Sequence, residues 1–313
     1  MLGERNLVVT ARRNLTEDIC EFELRRPDGG VLAPFRAGAH IKVQTPSGDV
    51  RSYSLTNDEL DRDRYTIAVK HERAGRGGSA SMHQAAVKGT LISATEPANE
   101  IEIVNGDRHL LIAGGVGITP MISIFRKLSR EHHPDFHLVY LSRAPEHAAY
   151  LEELLEVPSD RLTVHHSAVR GRRFNLWPLV ATPANTHLYY CGPSALMETL
   201  RLLTIHWPRS QLHFEDFSGV SAIDVNSAPF KVRRVSTGEV FDVPADRTIL
   251  EVLRANGLHP RSSCETGTCG TCQVRLITGD ADHRDMVLTE DDRFQFFMPC
   301  VSRAHGGEIV LDI

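Results

Sequence analysis

The sequence predicts three domains: an antiparallel β-barrel over 1–104, a doubly wound parallel α/β domain over 105–220 and, after a linker over 221–229, a cysteine-bearing domain over 230–313. Short apolar runs between turn residues predict the first domain. Strands that alternate with glycine turns and helices predict the second. Four cysteines mark the third. The length of 313 residues fits two or three domains with separate cores.

Composition and charge exclude several classes of protein. A net charge of −5 argues against a general nucleic-acid binder. Residues 1–14 carry charges throughout and lack the apolar core of a signal peptide, and no run of about 18 apolar residues occurs. We therefore expect a cytoplasmic protein without membrane or nucleic-acid partners, and we take it to be a monomer. The reducing cytosol suits thiolate ligands better than disulfides.

Three apolar or alternating runs, 19–24, 40–45 and 65–70, define the predicted barrel. A further strand closes with Arg51-Ser52-Tyr53-Ser54-Leu55, which combines a cation, an aromatic ring and hydroxyl groups. Alternation places Arg51 and Tyr53 on one face and Ser52 and Ser54 on the other. Such residues on an edge strand are commonly a solvated face, so the segment by itself leaves a binding role open.

A glycine-rich loop follows the strand that ends in Ala68-Val69-Lys70. The loop contains Arg76-Gly77-Gly78-Ser79, and a short helix is predicted over 81–87. Glycines let backbone amides approach an anion, and the start of a helix adds partial positive charge. Arg76 and Ser79 can donate to phosphate oxygens. The loop therefore predicts a phosphate site, with a flexible hairpin loop as the alternative.

The second domain opens with a strand over 110–113, a glycine turn and a helix over 120–130. The turn, Gly114-Gly115-Val116-Gly117-Ile118-Thr119-Pro120, departs from the dinucleotide fingerprint because proline takes the third glycine position. Proline suits the first residue of a helix. The glycines still allow a pyrophosphate to approach, so the turn predicts pyridine-nucleotide binding. Thr119 either faces that cofactor or caps the helix.

Three more strands, 137–142, 162–166 and 187–191, complete the predicted parallel sheet. The first of them ends in Ser142-Arg143 without an acidic residue for a ribose 2′-hydroxyl. An arginine there suits a 2′-phosphate, so local chemistry leans to NADPH. The last ends in Cys191-Gly192-Pro193. No activating base is identifiable beside Cys191, so we interpret it as lining a pocket without covalent chemistry.

The cysteines of the third domain follow the spacing C-x4-C-x2-C with a distant fourth, and they are Cys264, Cys269, Cys272 and Cys300. This is the ligand pattern of a plant-type [2Fe–2S] cluster. Small residues between the ligands let the loop wrap tightly and point amides at sulfur. Zinc sites and disulfide frameworks are the alternatives, but zinc favours paired short spacings. Such a cluster takes one electron at a time, so whatever lies upstream must deliver electrons singly or split a pair.

In this order the three modules resemble the phthalate dioxygenase reductase family, with the vanillate O-demethylase reductase as a close relative. The resemblance rests on the cysteines and on the segments 76–79, 114–120, 191–193 and 281–288. It implies a β-grasp ferredoxin domain and a flavin site in the barrel. Tyr53 would lie along the flavin ring, and Ser54 would hydrogen-bond near the flavin nitrogen that accepts hydride.

The resemblance also implies the cofactors and the partner. A phosphate loop directly after the flavin strand favours FMN over FAD. Cys191 would lie beside the nicotinamide, and Phe217 either stacks on the flavin or closes a core. Although Arg143 by itself favours NADPH, the family implies NADH. It also implies a Rieske-type oxygenase of aromatic-compound catabolism as the electron acceptor.

The sequence therefore predicts the reductase component of a Rieske-type dioxygenase or demethylase system. Two other readings stay open: a self-contained flavin-dependent NAD(P)H oxidoreductase that acts on a small molecule, and a non-enzymatic iron–sulfur carrier. The sequence contains no Cys-x-His pair, which argues that the chain is not itself a Rieske oxygenase.

Overall fold

The computed structural model describes residues 5–73, 75, 77–106, 108–156, 158–217, 222–224 and 226–313. Arg76 and part of the expected linker lie outside these ranges. The chain divides into two compact units, Met1–Asp216 and Phe217–Ile313. The expected barrel and nucleotide domains share the first unit, and their boundary near residue 104 stays a prediction.

The first sheet has seven strands and is antiparallel. They are β1 (Arg5–Asn14), β2 (Ile19–Arg25), β3 (Ala39–Gln44), β4 (Val50–Ser54), β5 (Tyr65–Lys70), β6 (Leu91–Ala94) and β7 (Ala98–Asn99). Their order is β4-β3-β6-β1-β2-β5, with β7 beside β3. An antiparallel bridge between Leu55 and Ile67 brings the two ends of this order together and closes the barrel. Helix α1 (Gly78–Ala85) packs Met82 into the barrel core.

Strand β5 is buried along almost its whole length, and its two faces serve two cores. Ile67 and Val69 face the interior of the barrel. Ala68, on the other face, packs with Met121 and Ile122 of the nucleotide domain. Burial on both faces gives a continuous apolar strand. The two sheets of the first unit therefore share one apolar interface.

The second sheet is parallel and has the strand order β10-β9-β8-β11-β12. Its strands are β8 (Arg108–Gly114), β9 (Phe136–Ser142), β10 (Leu162–His166), β11 (Thr186–Cys191) and β12 (Leu212–Glu215). The helices are α2 (Ile118–Arg130), α3 (Leu151–Leu155), α4 (Ser167–Arg170), α5 (Trp177–Val180) and α6 (Ser194–Leu203), with 3₁₀ turns at Gly115–Gly117, Pro145–His147, Ser159–Arg161 and Arg209–Gln211. Strand order reverses between β8 and β11, where α/β sheets bind ligands.

The second unit is built on a five-stranded mixed sheet of order β14-β13-β19-β15-β17. Its elements are β13 (Phe230–Arg234), β14 (Val240–Val243), α7 (Ile249–Ala255), β15 (Val274–Thr278), β16 (Ala281–Asp282), α8 (Glu290–Arg293), β17 (Phe296–Phe297), β18 (Arg303–Ala304) and β19 (Glu308–Asp312). Thr248 and Glu251 form a capping box at the start of α7. The first and last strands pair in parallel, and α7 lies against β14. The expected fold class is thereby confirmed.

None of the helices in the described ranges combines the length and the apolar character that crossing a lipid bilayer requires.

A cluster of histidines lies among strands β8, β11 and β12. His109 is buried, with its ring 4.5 Å from that of His133. His213 stacks on Tyr189, and its Nε2 lies 3.0 Å from Nδ1 of His187. Burial, reinforced by the neighbouring imidazoles, lowers the pKa of both His109 and His213 to about 4. Both rings are therefore neutral in the folded protein at pH 7.

This cluster predicts acid sensitivity of the nucleotide domain. The unfolded chain protonates these histidines near pH ~6.5, whereas the folded chain resists protonation down to about pH 4. Stability is therefore complete above pH ~6.5 and falls as the pH drops towards 4. We expect a loss of about 3 kcal/mol between pH 7 and 5, measured by urea unfolding and tryptophan fluorescence. Both tryptophans, Trp177 and Trp207, lie in this domain.

The matched variants of this prediction are His109→Gln and His132→Asn. The first removes one titrating ring and should lower the difference between pH 7 and pH 5 by about half. His132 is exposed and has φ +51°, a conformation that asparagine also adopts, so its replacement should leave the difference unchanged. An equal pH dependence in all three proteins would contradict the assignment.

Candidate cofactor sites

Strand β4 carries the predicted Arg51-Ser52-Tyr53-Ser54 segment. Tyr53 packs on the barrel core, and its hydroxyl is buried without a hydrogen-bond partner among the described residues. Burial raises the pKa of Tyr53 to about 12, so the phenol stays neutral. Ser52 is exposed. A rigid aromatic ring with an unsatisfied buried hydroxyl fits a bound flavin, which would bring polar atoms to it.

Ser54 is buried at the end of β4. Its Oγ donates a hydrogen bond to Oε2 of Glu215 at 3.2 Å. Glu215 ends β12 of the nucleotide sheet, so this bond joins the two modules of the first unit. The sequence prediction did not include Glu215. Its position as the last residue of a strand in the parallel sheet was the available signal.

Arg51 reaches the predicted phosphate loop. A Cβ atom on Gly78 would lie 3.0 Å from Nε of Arg51, and Asp49 lies 3.4 Å from the guanidinium. Gly77 has φ +95° and gives α1 no side-chain cap, so the first amides of the helix stay open to an anion. Ser79 Oγ accepts the amide of Glu72 at 3.0 Å. A cation, a glycine turn and a helix start fit a phosphate.

The remaining residues predicted around the flavin lie on β5, and each of them has a different environment. Ala68 belongs to the core shared with the nucleotide domain, and β5 lies beside the turn Gly115–Gly117. The carbonyl of Val69 lies 2.8 Å from Nε2 of His83. Lys70 is exposed, with Glu72 at 3.4 Å. The flavin strand and the nucleotide turn are therefore neighbours.

The nucleotide crevice depends on close packing of glycines. A Cβ atom on Gly114 would lie 2.6 Å from Cδ2 of Leu196, and one on Gly192 would lie 2.7 Å from the same atom. A Cβ atom on Gly117 would collide with the carbonyl of Cys191. Two loops at the switch point thus pack backbone against backbone, which fits the approach of a dinucleotide to exposed amides.

Within this crevice, Gly115 has φ +54° and open space where a Cβ atom would stand. Thr119 is buried, and its hydroxyl donates to the carbonyl of Val116 at 3.0 Å. The capping alternative is wrong, because α2 has Gly117 as its N-cap without a side-chain bond and Thr119 is already the second residue of the helix. Contact of Thr119 with a cofactor stays a prediction. Cys191 is fully buried, and burial raises the pKa of its thiol well above the ordinary value. A protonated thiol supports its interpretation as a lining residue.

The other predicted nucleotide residues lie at the ends of β9 and β12. Ser142 Oγ donates to the carbonyl of Ala144 at 3.0 Å and lies 2.7 Å from Nδ1 of His166. Arg143 is exposed. Phe217, the first residue of the second unit, is 41% exposed, so it does not close a core. Its stacking on the flavin stays a prediction.

The four predicted metal ligands converge in the second unit. The sulfurs of Cys264 and Cys269 lie within 4.8 Å of each other. Cys272 and Cys300 are buried and lie beside each other. The contact with Cys269, together with the amide of Thr266 at 3.4 Å, lowers the pKa of Cys264. Four convergent sulfurs, with an amide on one of them, fit a [2Fe–2S] cluster.

The ligand loop is held by contacts that the sequence did not predict, although some of their residues lie in segments that it singled out. Glu265 has φ +58°, and its carboxylate accepts from Arg254 at 2.7 Å and from Ser262 at 3.0 Å. Gly267 has φ +76°, and a Cβ atom there would lie 2.7 Å from Val301. The buried carboxylate of Asp285 accepts the amide of Leu288 at 2.8 Å. These contacts hold the loop in a conformation that few residue types adopt.

Known proteins resemble this chain in two of its domains and over its full length. Residues 111–201 match the oxidoreductase NAD-binding domain family, and residues 233–305 match the 2Fe-2S iron-sulfur cluster binding domain family. The chain is 43% identical to phthalate dioxygenase reductase from Burkholderia cepacia, over 99% of this chain and 98% of the relative. The chain belongs to the phthalate dioxygenase reductase family.

A vanillate O-demethylase oxidoreductase from Pseudomonas putida is 38% identical, over 98% of this chain and 99% of the relative. A solved phthalate dioxygenase reductase, described as a modular structure for electron transfer from pyridine nucleotides to [2Fe-2S], aligns with a TM-score of 0.77 at 42% identity. The alignment covers 99% of this chain and 98% of that chain. Members of this family are reductase components of oxygenase systems, which confirms the predicted class of oxidoreductase. The predicted set of FMN, NADH and a [2Fe–2S] cluster agrees with the family.

Proposed function

We propose that this chain carries electrons from NADH through FMN and its [2Fe–2S] cluster to a Rieske-type oxygenase that acts on an aromatic compound. The observation that supports this most directly is the hydrogen bond of 3.2 Å between Ser54 and Glu215. It joins the flavin strand to the carboxyl end of a strand in the nucleotide sheet. A nicotinamide in the crevice and a flavin on β4 would then lie side by side.

The bound FMN supplies the chemistry that turns one hydride into two single electrons. The chain's own residues orient and enclose it. Tyr53 offers a fixed aromatic ring, Arg51 and the start of α1 hold the phosphate, and Ser54 places a hydroxyl at the ring. Cys191 and the packed glycines exclude water from the place where the nicotinamide would lie. These residues would keep water away from the reacting groups once both cofactors are bound.

The Ser54 hydroxyl predicts a measurable effect on flavin reduction. In Ser54→Ala we expect the rate of flavin bleaching by NADH to fall about 30-fold, because one oriented hydrogen bond is lost where charge develops. In Glu215→Gln the same rate should fall by less, about threefold, because the amide oxygen of glutamine still accepts the hydrogen bond from Ser54. Anaerobic stopped-flow absorbance measures both rates.

Ser52→Ala is the matched control for the Ser54 variant. Ser52 lies on the same strand but is exposed, so its removal should leave the rate within a factor of two. If Ser54→Ala and Ser52→Ala behave alike, the hydroxyl of Ser54 has no part in flavin reduction.

Onward transfer to a Rieske centre is downhill. A plant-type cluster lies near about −400 mV and a Rieske centre at about −150 mV or above. At roughly 59 mV per decade, one-electron transfer is favoured by about 10⁴. Cys264 and Cys269 are half-buried, unlike the other two ligands.

We assign NADH as the donor on the strength of the family. The exposed Arg143 favours NADPH, so the two nucleotides should be compared directly. We expect NADH to give the larger kcat/KM, and Arg143→Ala to slow only the reaction with NADPH. We also propose a cytoplasmic monomer, which size-exclusion chromatography of the holoprotein tests in part.

The experiment that tests the proposed function is reconstitution with a purified Rieske-type oxygenase. With NADH and catalytic amounts of this chain, the Rieske absorbance of the oxygenase should bleach within seconds. Rapid turnover of a small organic acceptor by the chain alone, with no bleaching of the oxygenase, would instead support a self-contained oxidoreductase. Loss of flavin absorbance on purification, with no response to NADH, would support a simple iron–sulfur carrier.

A further inference from the structure

Helix α2 contacts the flavin module through Glu59. Nζ of Lys127 donates to Oε1 of Glu59 at 2.5 Å, and Arg130 lies 3.2 Å from the same oxygen. The other oxygen of Glu59 accepts the amide of Ala37 at 2.8 Å. Burial acts to raise the pKa of Glu59, yet the bonds from Lys127 and Ala37 lower it overall. The carboxylate therefore stays charged and has both oxygens occupied.

A second basic residue of α2, Arg126, binds a backbone carbonyl in the loop 56–59 that also contains Glu59. Arg126 donates to the carbonyl of Thr56, and its other nitrogens donate to Glu153 at 2.8 and 2.6 Å. Its guanidinium also lies 5.4 Å from the ring centre of Tyr150. A planar guanidinium bound at several points tolerates little rotation. Arg130 adds an ion pair with Asp58.

We propose that these contacts between Arg126, Lys127 and Arg130 of α2 and the loop 56–59 set the distance between nicotinamide and flavin; we call them the α2 clamp. The inference rests on the proposed function. Helix α2 begins at the nucleotide turn, and the loop 56–59 follows β4 with the flavin residues. The clamp therefore joins the rear of the nucleotide helix to the continuation of the flavin strand.

The length of α2 makes the clamp a lever. Lys127 lies nine residues after Ile118, which corresponds to about 14 Å along the helix axis. A tilt of about 5° at the clamp would displace the nucleotide turn by about 1 Å, and a misplacement of that size can slow a reaction about 100-fold. The apolar core between the two modules holds them together, but the hydrophobic effect does not determine the orientation of α2. The charged hydrogen bonds of the clamp determine that orientation, because their strength depends on geometry.

The residues of the clamp are positioning residues, since none of them lies in the flavin strand or the nucleotide turn. Their test is the pair Lys127→Met and Glu59→Gln, alone and combined. Lys127→Met keeps the aliphatic stem and removes the charge. We expect flavin reduction by NADH to slow at least tenfold in each variant. The dissociation constant for NADH should change less than twofold, and the nicotinamide–flavin charge-transfer absorbance should weaken.

The double variant should be little slower than Glu59→Gln alone, because the ion pair between Lys127 and Glu59 is already lost in that single variant. Lys231→Met is the matched control. Lys231 forms an exposed ion pair of 2.6 Å with Asp242 in the second unit, so its removal should change none of these readouts. Unchanged reduction rates in Lys127→Met and Glu59→Gln, with only a lower melting temperature, would overturn the proposal.

A second measurement does not depend on NADH. Amide hydrogen exchange of the cofactor-free protein should become faster at the turn 115–119 in both clamp variants and stay unchanged in Lys231→Met. Unchanged exchange at this turn would overturn the lever, whatever the protein does with NADH. A wild-type flavin that NADH does not reduce would overturn the proposed function and leave this exchange result to decide the clamp.

Discussion

Replacement of Cys272 by serine is expected to abolish electron delivery while the flavin half of the protein stays intact. Cys272 is buried beside Cys300, so a serine there offers a harder, poorer ligand in a site closed to water. We expect cytochrome c reduction by NADH to fall more than about 100-fold, beyond the effect of most changes outside the ligand shell. NADH should still bleach the flavin at a rate within twofold of wild type.

Cys20→Ser is the matched control for this change. Cys20 is also buried, but it lies on β2 of the barrel, where Arg12 donates to its sulfur at 3.2 Å. The variant should retain its iron content and its cytochrome c reductase activity per folded molecule. A Cys272→Ser protein that keeps full iron and full cytochrome activity would show that Cys272 is not a ligand.

The second large effect is expected for Gly117→Ala. The added methyl group would collide with the carbonyl of Cys191, and a backbone segment cannot move aside as a side chain can. We expect a loss of at least about 3 kcal/mol in the stability of the nucleotide domain. NADH-dependent activity should fall more than about 100-fold. Tryptophan fluorescence in urea and stopped-flow flavin reduction measure the two effects.

Gly115→Ala separates packing from nucleotide binding. A methyl group at Gly115 meets open space, and only its φ of +54° is unfavourable, which costs about 1 kcal/mol. The same methyl group would stand where a pyrophosphate approaches the turn, so the KM for NADH should rise about tenfold. If Gly117→Ala were as stable as Gly115→Ala, the backbone contact with Cys191 would not exist.

Much of the fold follows from local patterns. The expected strand over 65–70 has the same bounds as β5, and the expected strand over 162–166 has the same bounds as β10. The helix expected over 120–130 begins two residues earlier, because Ile118 and Thr119 already take helical positions after the glycine turn. The helix expected over 81–87 covers Gly78–Ala85 instead, because Gly77 is its N-cap and Gly78 is its first residue. Helix ends depend on caps that periodicity does not reveal.

The joining of the first two modules left little trace in the sequence. Separate barrel and nucleotide domains were expected, whereas Ile19 and Ala68 of the barrel share a core with Ile118 and Met121 of the nucleotide domain. The nearly continuous burial of β5 was the one local signal, because a strand that faces solvent on one side alternates. The α2 clamp pairs residues about 70 positions apart, and such pairing follows only from the tertiary arrangement.

The candidate sites divide in the same way. The iron ligands could be predicted because four cysteines at fixed spacing have few other uses. Arg51 was expected beside Tyr53, and the structure shows that it also reaches Gly78 across the phosphate loop. The contacts of Arg254 with Glu265 and of Ser54 with Glu215 connect separate segments, so no residue spacing reveals them in advance.

The central claim is that one chain takes hydride from a pyridine nucleotide and passes single electrons to its own iron–sulfur cluster. Anaerobic titration of the holoprotein with NADH, followed by absorbance and electron paramagnetic resonance, tests it most directly. We expect the flavin absorbance to bleach and the signal of a reduced [2Fe–2S] cluster to appear in the same sample, with both missing from an untreated control. A bleached flavin with a cluster that stays oxidised over hours, or a protein that binds zinc in place of iron, would contradict this claim.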